Sequence, residues 1–237
     1  MAANVSAEEF VARLEPLRSP QQAGAYRRAF KPGEDDVFIG VRMGQVFTLA
    51  KELMGMQPAE IERLLESPVH EVRVGAVSIM DWQARSKKTP AQRRQELFDL
   101  YLRRHDRINT WDLVDRSAPY VVGSYLFDRP RDILYDLACS TNIWERRTAM
   151  VSTFYFIRKG DIEDTIRVAE ILLSDDQDLI HKATGWGLRE VGKQERGRLL
   201  AFLDEHGSTM PRTALRYAIE HLDKEQREHY LGLKRAS

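Results

Sequence analysis

A shape that recurs at a fixed spacing constrains this chain more than any other feature. The stretches IERLLESPVHEVRVGAVSIMDWQARSK, ILYDLACSTNIWERRTAMVSTFYFIRKGD, VAEILLSDDQDLIHKATGWGLREVGKQ and LLAFLDEHGSTMPRTALRYAIEHLDKE share it. Each reads as an apolar helix, a short polar break, a basic residue followed by small ones, and a second apolar helix. The basic anchors are Arg73, Arg147, Lys182 and Arg212. Arg147 and Lys182 lie 35 positions apart, and Arg73 and Arg147 lie 74 apart, or two units of 37. The missing anchor falls near residue 110, where NTWDLVD opens a helix. This is the period of HEAT or armadillo helix pairs, slightly shortened. Small residues after each anchor (Ala76, Ala149, Ala183, Ala214) let neighbouring helices approach closely. Such units stack side by side, and the expected fold is all-α: a right-handed solenoid of HEAT-like helix-pair repeats with a concave groove.

The remaining periodicity agrees. EEFVARLEPL, QVFTLAKELM, AQRRQELFDLYLRR and DTIRVAEILL place apolar residues at i, i+3, i+4 and i+7, and no strand-length alternation competes. Pro32-Gly33, Pro58, Pro68, Pro90, Pro119, Pro130, Gly160, Gly207 and Pro211 punctuate these segments. One repeat domain over residues 1–237 accounts for the whole length, with frayed ends at about 1–5 and 232–237. A single Cys139 excludes a disulfide framework and a cysteine-rich zinc module. The polar, acidic N-terminus is no signal peptide, and no apolar run approaches the ~20 residues of a membrane span. The expected setting is the cytoplasm, with no membrane partner.

The chemistry motifs narrow the field by elimination. HExxH, P-loop, cysteine-pair and GxSxG patterns are missing from the sequence, and the six histidines are scattered. No metal site and no cofactor is expected. Three segments look odd for a plain scaffold. In NTWDLVD, Asn109 or Thr110 can cap the helix and Asp112 suits its first turn. Asp115 has no such reason: it lies one turn beyond Trp111, on the same helix face. A buried indole beside a solvated carboxylate remains the plain alternative. In NIWERR, adjacent arginines point to different azimuths, so that one of Arg146 and Arg147 faces inward, with an inter-repeat salt bridge as the plain reading. In KATGWGLRE, Trp186 is flanked by Gly185 and Gly187. Each glycine weakens a helix by about 1 kcal/mol relative to alanine, which implies that room is needed for a neighbouring helix or a ligand. If the repeats stack in order, Trp111, Arg147 and Trp186 line one strip of the concave face. Two indoles, a carboxylate and a guanidinium suit a sugar-phosphate backbone carrying a cationic leaving group.

These segments, in this order and spacing, resemble the AlkD-type DNA alkylation repair glycosylases built of HEAT-like repeats. The likeness extends upstream through AYRRAF and FIGVRMGQVFTLAKEL and downstream through MPRTALRYAIEHL, roughly from Tyr26 to Leu222. The resemblance implies a monomeric enzyme of base excision repair. Such an enzyme hydrolyses the N-glycosidic bond of N3- and N7-alkylpurines, such as 3-methyladenine and 7-methylguanine, in duplex DNA. It does so without metal, cofactor or base flipping, and with no obligate protein partner. Carried over by position, the catalytic carboxylate is Asp115, the tryptophans packing on the lesion's deoxyribose and backbone are Trp111 and Trp186, and the phosphate-holding arginine is Arg147. Tyr26 matches a tyrosine near the DNA. Thr110 stands where relatives can carry a second aromatic residue, and Glu145 sets a carboxylate near Arg147, where it would weaken a phosphate contact. Some relatives keep the fold and bind DNA structure without catalysis, and solenoids at large often serve as protein scaffolds. Those are the alternatives.

Net charge is zero, with 36 basic and 36 acidic residues, which argues against binding nucleic acid through bulk positive charge. The total hides a distribution. From Arg85 to Arg107 there are eight basic residues and three acidic, a net of +5. Arg73, Arg147, Lys182, Arg189 and Arg212 add to the expected basic strip, while acids gather in loops such as Glu34-Asp35-Asp36.

Overall fold

The computed structural model describes residues 5–30 and 36–233. The frayed ends expected from sequence lie almost wholly outside them, as do Pro32-Gly33 and Glu34-Asp35. The described residues are helical without any named strand; an isolated bridge joins Val37 to Val69. No helix among them is long and apolar enough to cross a membrane.

The chain divides into two compact units, 1–125 and 126–237. The first holds α1 (Ala7–Leu14), a 3-10 turn (Glu15–Leu17), α2 (Pro20–Phe30), α3 (Met43–Glu52), α4 (Pro58–Leu65), α5 (His70–Arg85), α6 (Ala91–Arg103) and α7 (Trp111–Ala118). A π turn (Pro119–Gly123) follows α7 and leads into the short α8 (Ser124–Leu126). Pro119 therefore does not separate two helices. Without an N–H it cannot make the ordinary bond to residue 115, and the backbone widens by one residue rather than stopping.

Helix α5 is the centre of this unit. It packs against α3, α4, α6 and α7, so nearly its whole surface is buried and its sequence lacks a polar face. Several of the polar residues it buries are matched, as burial demands. Glu71 accepts from the amides of Ile39 and Gly40 (3.2 and 2.7 Å), Gln83 donates to the Met56 carbonyl (2.7 Å), and Asp81 accepts from Arg85 Nε (2.8 Å).

The second unit comprises α9 (Asp132–Ala138), α10 (Ile143–Ser152), α11 (Phe154–Ile157), α12 (Glu163–Leu172), α13 (Asp178–Gln194), α14 (Arg196–His206), α15 (Arg212–Ala218) and α16 (Lys224–Gly232). Within it, the second helices of successive pairs pack side by side, α10 on α13 and α13 on α15. Asn142 opens α10 by accepting from the Trp144 amide (2.9 Å), and Asp223 opens α16 by accepting from Gln226 (2.9 Å). The repeat boundaries read from the anchors hold: Arg73, Arg147, Lys182 and Arg212 all lie within the first five residues of second helices, and α7 begins at residue 111 as the spacing requires.

The glycines beside Trp186 serve helix packing. A Cβ at Gly185 would sit 2.4 Å from the Ala214 carbonyl oxygen of α15, and one at Gly187 would sit 2.5 Å from the Met150 sulfur of α10. Gly197, exposed near the start of α14, meets nothing within 4 Å. Gly185→Ala is expected to lower stability by about 1–3 kcal/mol through overpacking, or roughly 2–4 °C in Tm per kcal/mol. Gly197→Ala is expected to raise it by up to about 1 kcal/mol. Thermal denaturation of the two variants checks the contrast, and equal signs would contradict it.

Candidate functional site

In the first unit the start of α7 carries the indole and the carboxylate singled out by sequence. Trp111 is the first residue of the helix and remains 39% exposed. One face of its ring lies on Phe30, with centroids 5.3 Å apart and planes 8° from parallel. Phe30 in turn packs on Phe38 (5.6 Å), His70 (5.1 Å) and the edge of Tyr26 (5.9 Å). The indole is thus fixed from behind by an aromatic wall. Tyr26 is part of that wall: its hydroxyl accepts from the Met43 amide (3.3 Å), and burial pushes its pKa above the usual tyrosine value. Asp115, half-buried, follows one turn later on the Trp111 side of the helix.

The first turn is not capped as the sequence suggests. The Thr110 side chain makes no cap bond; its hydroxyl donates to Asp112 Oδ1 (2.7 Å). Asn109 Oδ1 is buried without a hydrogen-bond partner. Asp112 is more than a dipole-favoured residue, because its Oδ2 accepts from His70 Nε2 (2.7 Å), and His70 is fully buried.

A second cluster surrounds Trp82. Lys51 Nζ lies 5.0 Å from its ring centroid, the Arg116 guanidinium 5.4 Å and that of Arg85 5.9 Å. Arg85 also covers Tyr120 (3.7 Å), and Arg116 covers Phe47 (4.7 Å). Arg85 and Arg116 both approach Asp81, at 2.8 and 3.2 Å. Burial lowers the Arg116 pKa from its ordinary value. Arg85 is therefore the member of the +5 stretch that joins this cluster. Arginines further along face carboxylates and carbonyls of another helix or loop. Arg103 and Arg104 meet Glu62 of α4 (2.8 and 3.1 Å), and Arg107 donates to the carbonyls of Leu65 and Ser67 (3.0 and 2.9 Å). The local sum missed these partners because they come from about 40 residues away.

In the second unit Arg147 is only 5% exposed, and its Nη1 donates to the Leu179 carbonyl (2.7 Å) at the start of α13. Arg146 supplies the inter-repeat salt bridge, to Asp175 (2.5 Å). Glu145 accepts from Ser140 (2.6 Å) and Asn142 (3.4 Å), so its carboxylate is engaged at the helix start. Trp186 is half-buried with its ring edge-on to Phe154 (4.5 Å, 74°). Lys182, Trp186 and Arg189 share a face of α13 at i, i+4 and i+7. Lys182 pairs with Asp178 (2.8 Å), a bond that raises the lysine pKa and lowers that of the aspartate, and Arg189 pairs with Glu220. Arg212 donates to the Leu231 carbonyl (2.7 Å), tying α15 to α16. Arg73, expected from sequence on the basic strip, is 1% exposed and paired with Asp36. It braces the interior and presents no charge to solvent.

Phe30, Phe38, His70 and Phe154 were not singled out from sequence. The i, i+4 spacing of Tyr26 and Phe30 within AYRRAF carries a signal for the aromatic wall; His70 has none, because its partner is 42 positions away. Among the described residues no group of three or more His, Cys, Asp and Glu is placed to hold a metal ion.

The model of the DNA alkylation repair enzyme family matches residues 10–222. In structure the chain is similar to a protein from Enterococcus faecalis described as a predicted DNA alkylation repair enzyme, at 19% sequence identity and a TM-score of 0.70. The match covers 87% of this chain and 97% of that one, and at this identity the likeness is one of fold. No curated protein sequence matches the chain.

The burial of Arg73 generates a stability test. Arg73→Met leaves the Asp36 carboxylate without its guanidinium and is expected to cost about 3–5 kcal/mol in urea denaturation. A cost below 1 kcal/mol would show that the pair is no brace.

Proposed function

The chain belongs to the DNA alkylation repair enzyme family, and on that premise we propose that it is a DNA glycosylase. The proposed reaction is hydrolysis of the N-glycosidic bond of cationic N3- and N7-alkylpurines in duplex DNA, 3-methyladenine and 7-methylguanine among them. The observation that carries this reading is the pairing at the start of α7: an indole with one face backed by Phe30, and Asp115 one turn on along the same side.

Alkylation at N3 or N7 gives the purine a positive charge, so it leaves as a neutral base without being protonated. The C1′–N bond breaks with its electron pair going to the purine, and the charge moves to the sugar as an oxocarbenium ion. Asp115 stabilises that charge and orients the water whose oxygen bonds to C1′; the water's proton goes to solvent, leaving an abasic site. The exposed side of Trp111 provides an electron-rich surface for the same cation. The second unit supports the reading with its own geometry. Trp186, on the helix that its flanking glycines bring close to α15 and α10, is assigned to the deoxyribose and backbone, and Arg147 to a phosphate. No cofactor enters the proposal, and the lesion is attacked without being flipped out.

Purified protein incubated with duplex DNA containing 7-methylguanine is expected to release the free base above the spontaneous rate. Asp115→Asn should cut single-turnover release at least 10²-fold while leaving DNA affinity within a few-fold. Folded wild-type protein that binds DNA without release would favour a non-catalytic DNA-structure binder, and no salt-dependent DNA affinity would favour a protein scaffold. Affinity for undamaged duplex should be modest and fall with salt. Lys51→Gln should flatten the dependence of log K on log salt by about 0.9 if it removes one phosphate contact, and Arg103→Gln should leave it unchanged.

A further inference from the structure

We infer that His70 is a positioning residue for the proposed reaction: it fixes the azimuth of α7 and hence the placing of Trp111 and Asp115. The inference rests on the glycosylase reading and adds to it a residue that never meets the DNA.

His70 is tied to Trp111 by two independent routes. The first runs through hydrogen bonds. His70 Nε2 donates to Asp112 Oδ2 at 2.7 Å, and Asp112 Oδ1 accepts from the Thr110 hydroxyl at 2.7 Å. Both oxygens of the residue after Trp111 are therefore engaged, one of them by α5. The second route runs through rings. The imidazole packs on Phe30 at 5.1 Å and on Phe38 at 4.9 Å, and Phe30 is the surface on which the Trp111 indole lies. His70 is itself held on the backbone side. It is the first residue of α5, it is 0% exposed, and its amide donates to the Val37 carbonyl at 2.8 Å.

Packing on Phe30 and Phe38 needs only a ring, which a phenyl group would supply. The imidazole leaves Nδ1 buried without a hydrogen-bond partner, a desolvation cost that phenylalanine would avoid. What the imidazole adds is a directional bond to one carboxylate on the first turn of α7. Successive residues of a helix are 100° apart, so a small rotation of α7 carries both Trp111 and Asp115 off the reacting sugar. A misplacement of about 1 Å costs on the order of 10²-fold in rate.

The test measures 7-methylguanine release with enzyme in excess, the dissociation constant for the same duplex, Tm, and acrylamide quenching of the fluorescence component that Trp111→Phe removes. His70→Phe keeps the ring and loses the bond; His70→Gln keeps an Nε2 donor. The expected result for His70→Phe is a roughly 10- to 100-fold slower release step with DNA affinity within about twofold and greater quenching of Trp111. His70→Gln should recover part of the rate, and Asp112→Ala should slow release without adding to the effect of His70→Phe. Wild-type release by folded His70→Phe would overturn the inference, as would a loss explained wholly by weaker binding and lower Tm. Should His70→Phe not fold, Asp112→Ala removes the same bond from its other end, and an unchanged rate there overturns it equally. If the wild-type protein releases no base, the glycosylase reading fails by itself, and the quenching of Trp111 still decides whether His70 holds the indole.

Discussion

Polar side chains at the starts of the second helices reach into the neighbouring helix or loop, and the rest of each unit depends on that contact. His70 at the head of α5 holds Asp112 at the head of α7. Arg147 in α10 holds the Leu179 carbonyl in α13, and Asp178 in α13 accepts from Thr213 in α15 (2.9 Å). Arg212 in α15 holds the last turn of α16. Apolar burial draws helices together without direction. These bonds set how far each helix is turned about its axis. A repeat protein gains most of its stability from contacts between neighbours, so a defined rotation at each step decides which side chains its exposed surface shows.

That rotation is why the plain readings of the sequence and the functional ones are compatible. Gly185 and Gly187 are spent on packing against α15 and α10, yet the same close approach fixes Trp186 with its edge on Phe154. Arg147 is an inter-repeat brace, bonded to the Leu179 carbonyl of α13, at the position to which the phosphate contact is assigned. Asp112 helps hold the helix whose next turn carries Asp115.

Local pattern made the fold legible. Anchor residues, alanines and proline breaks act within one helix or between adjacent ones, so the helix pairs and their boundaries follow from spacing. Trp111 and Asp115 were legible for the same reason, as an i, i+4 pair. What the pattern hides is any partner distant in sequence. The +5 stretch looks like a basic strip until Glu62 and the loop carbonyls at residues 65–67 are set against it. Arg73 looks like another exposed anchor until Asp36 is found beside it, and the aromatic wall behind Trp111 joins four segments of the first unit. The role of Thr110 is hidden because a hydroxyl at a helix start has two good options, and here the Asp112 carboxylate takes it.

The proposed chemistry asks little of the protein because the substrate arrives charged. Asp115 and the Trp111 indole suffice only if the leaving base needs no proton, which sets a sharp boundary on what can be released. Base release should therefore be compared, under single-turnover conditions, from matched duplexes containing either 7-methylguanine or hypoxanthine, a neutral purine of similar size. The account predicts release of 7-methylguanine and none of hypoxanthine above the spontaneous rate. Comparable release of the two would contradict it, since a neutral base must be protonated by a general acid that the site at α7 was not assigned.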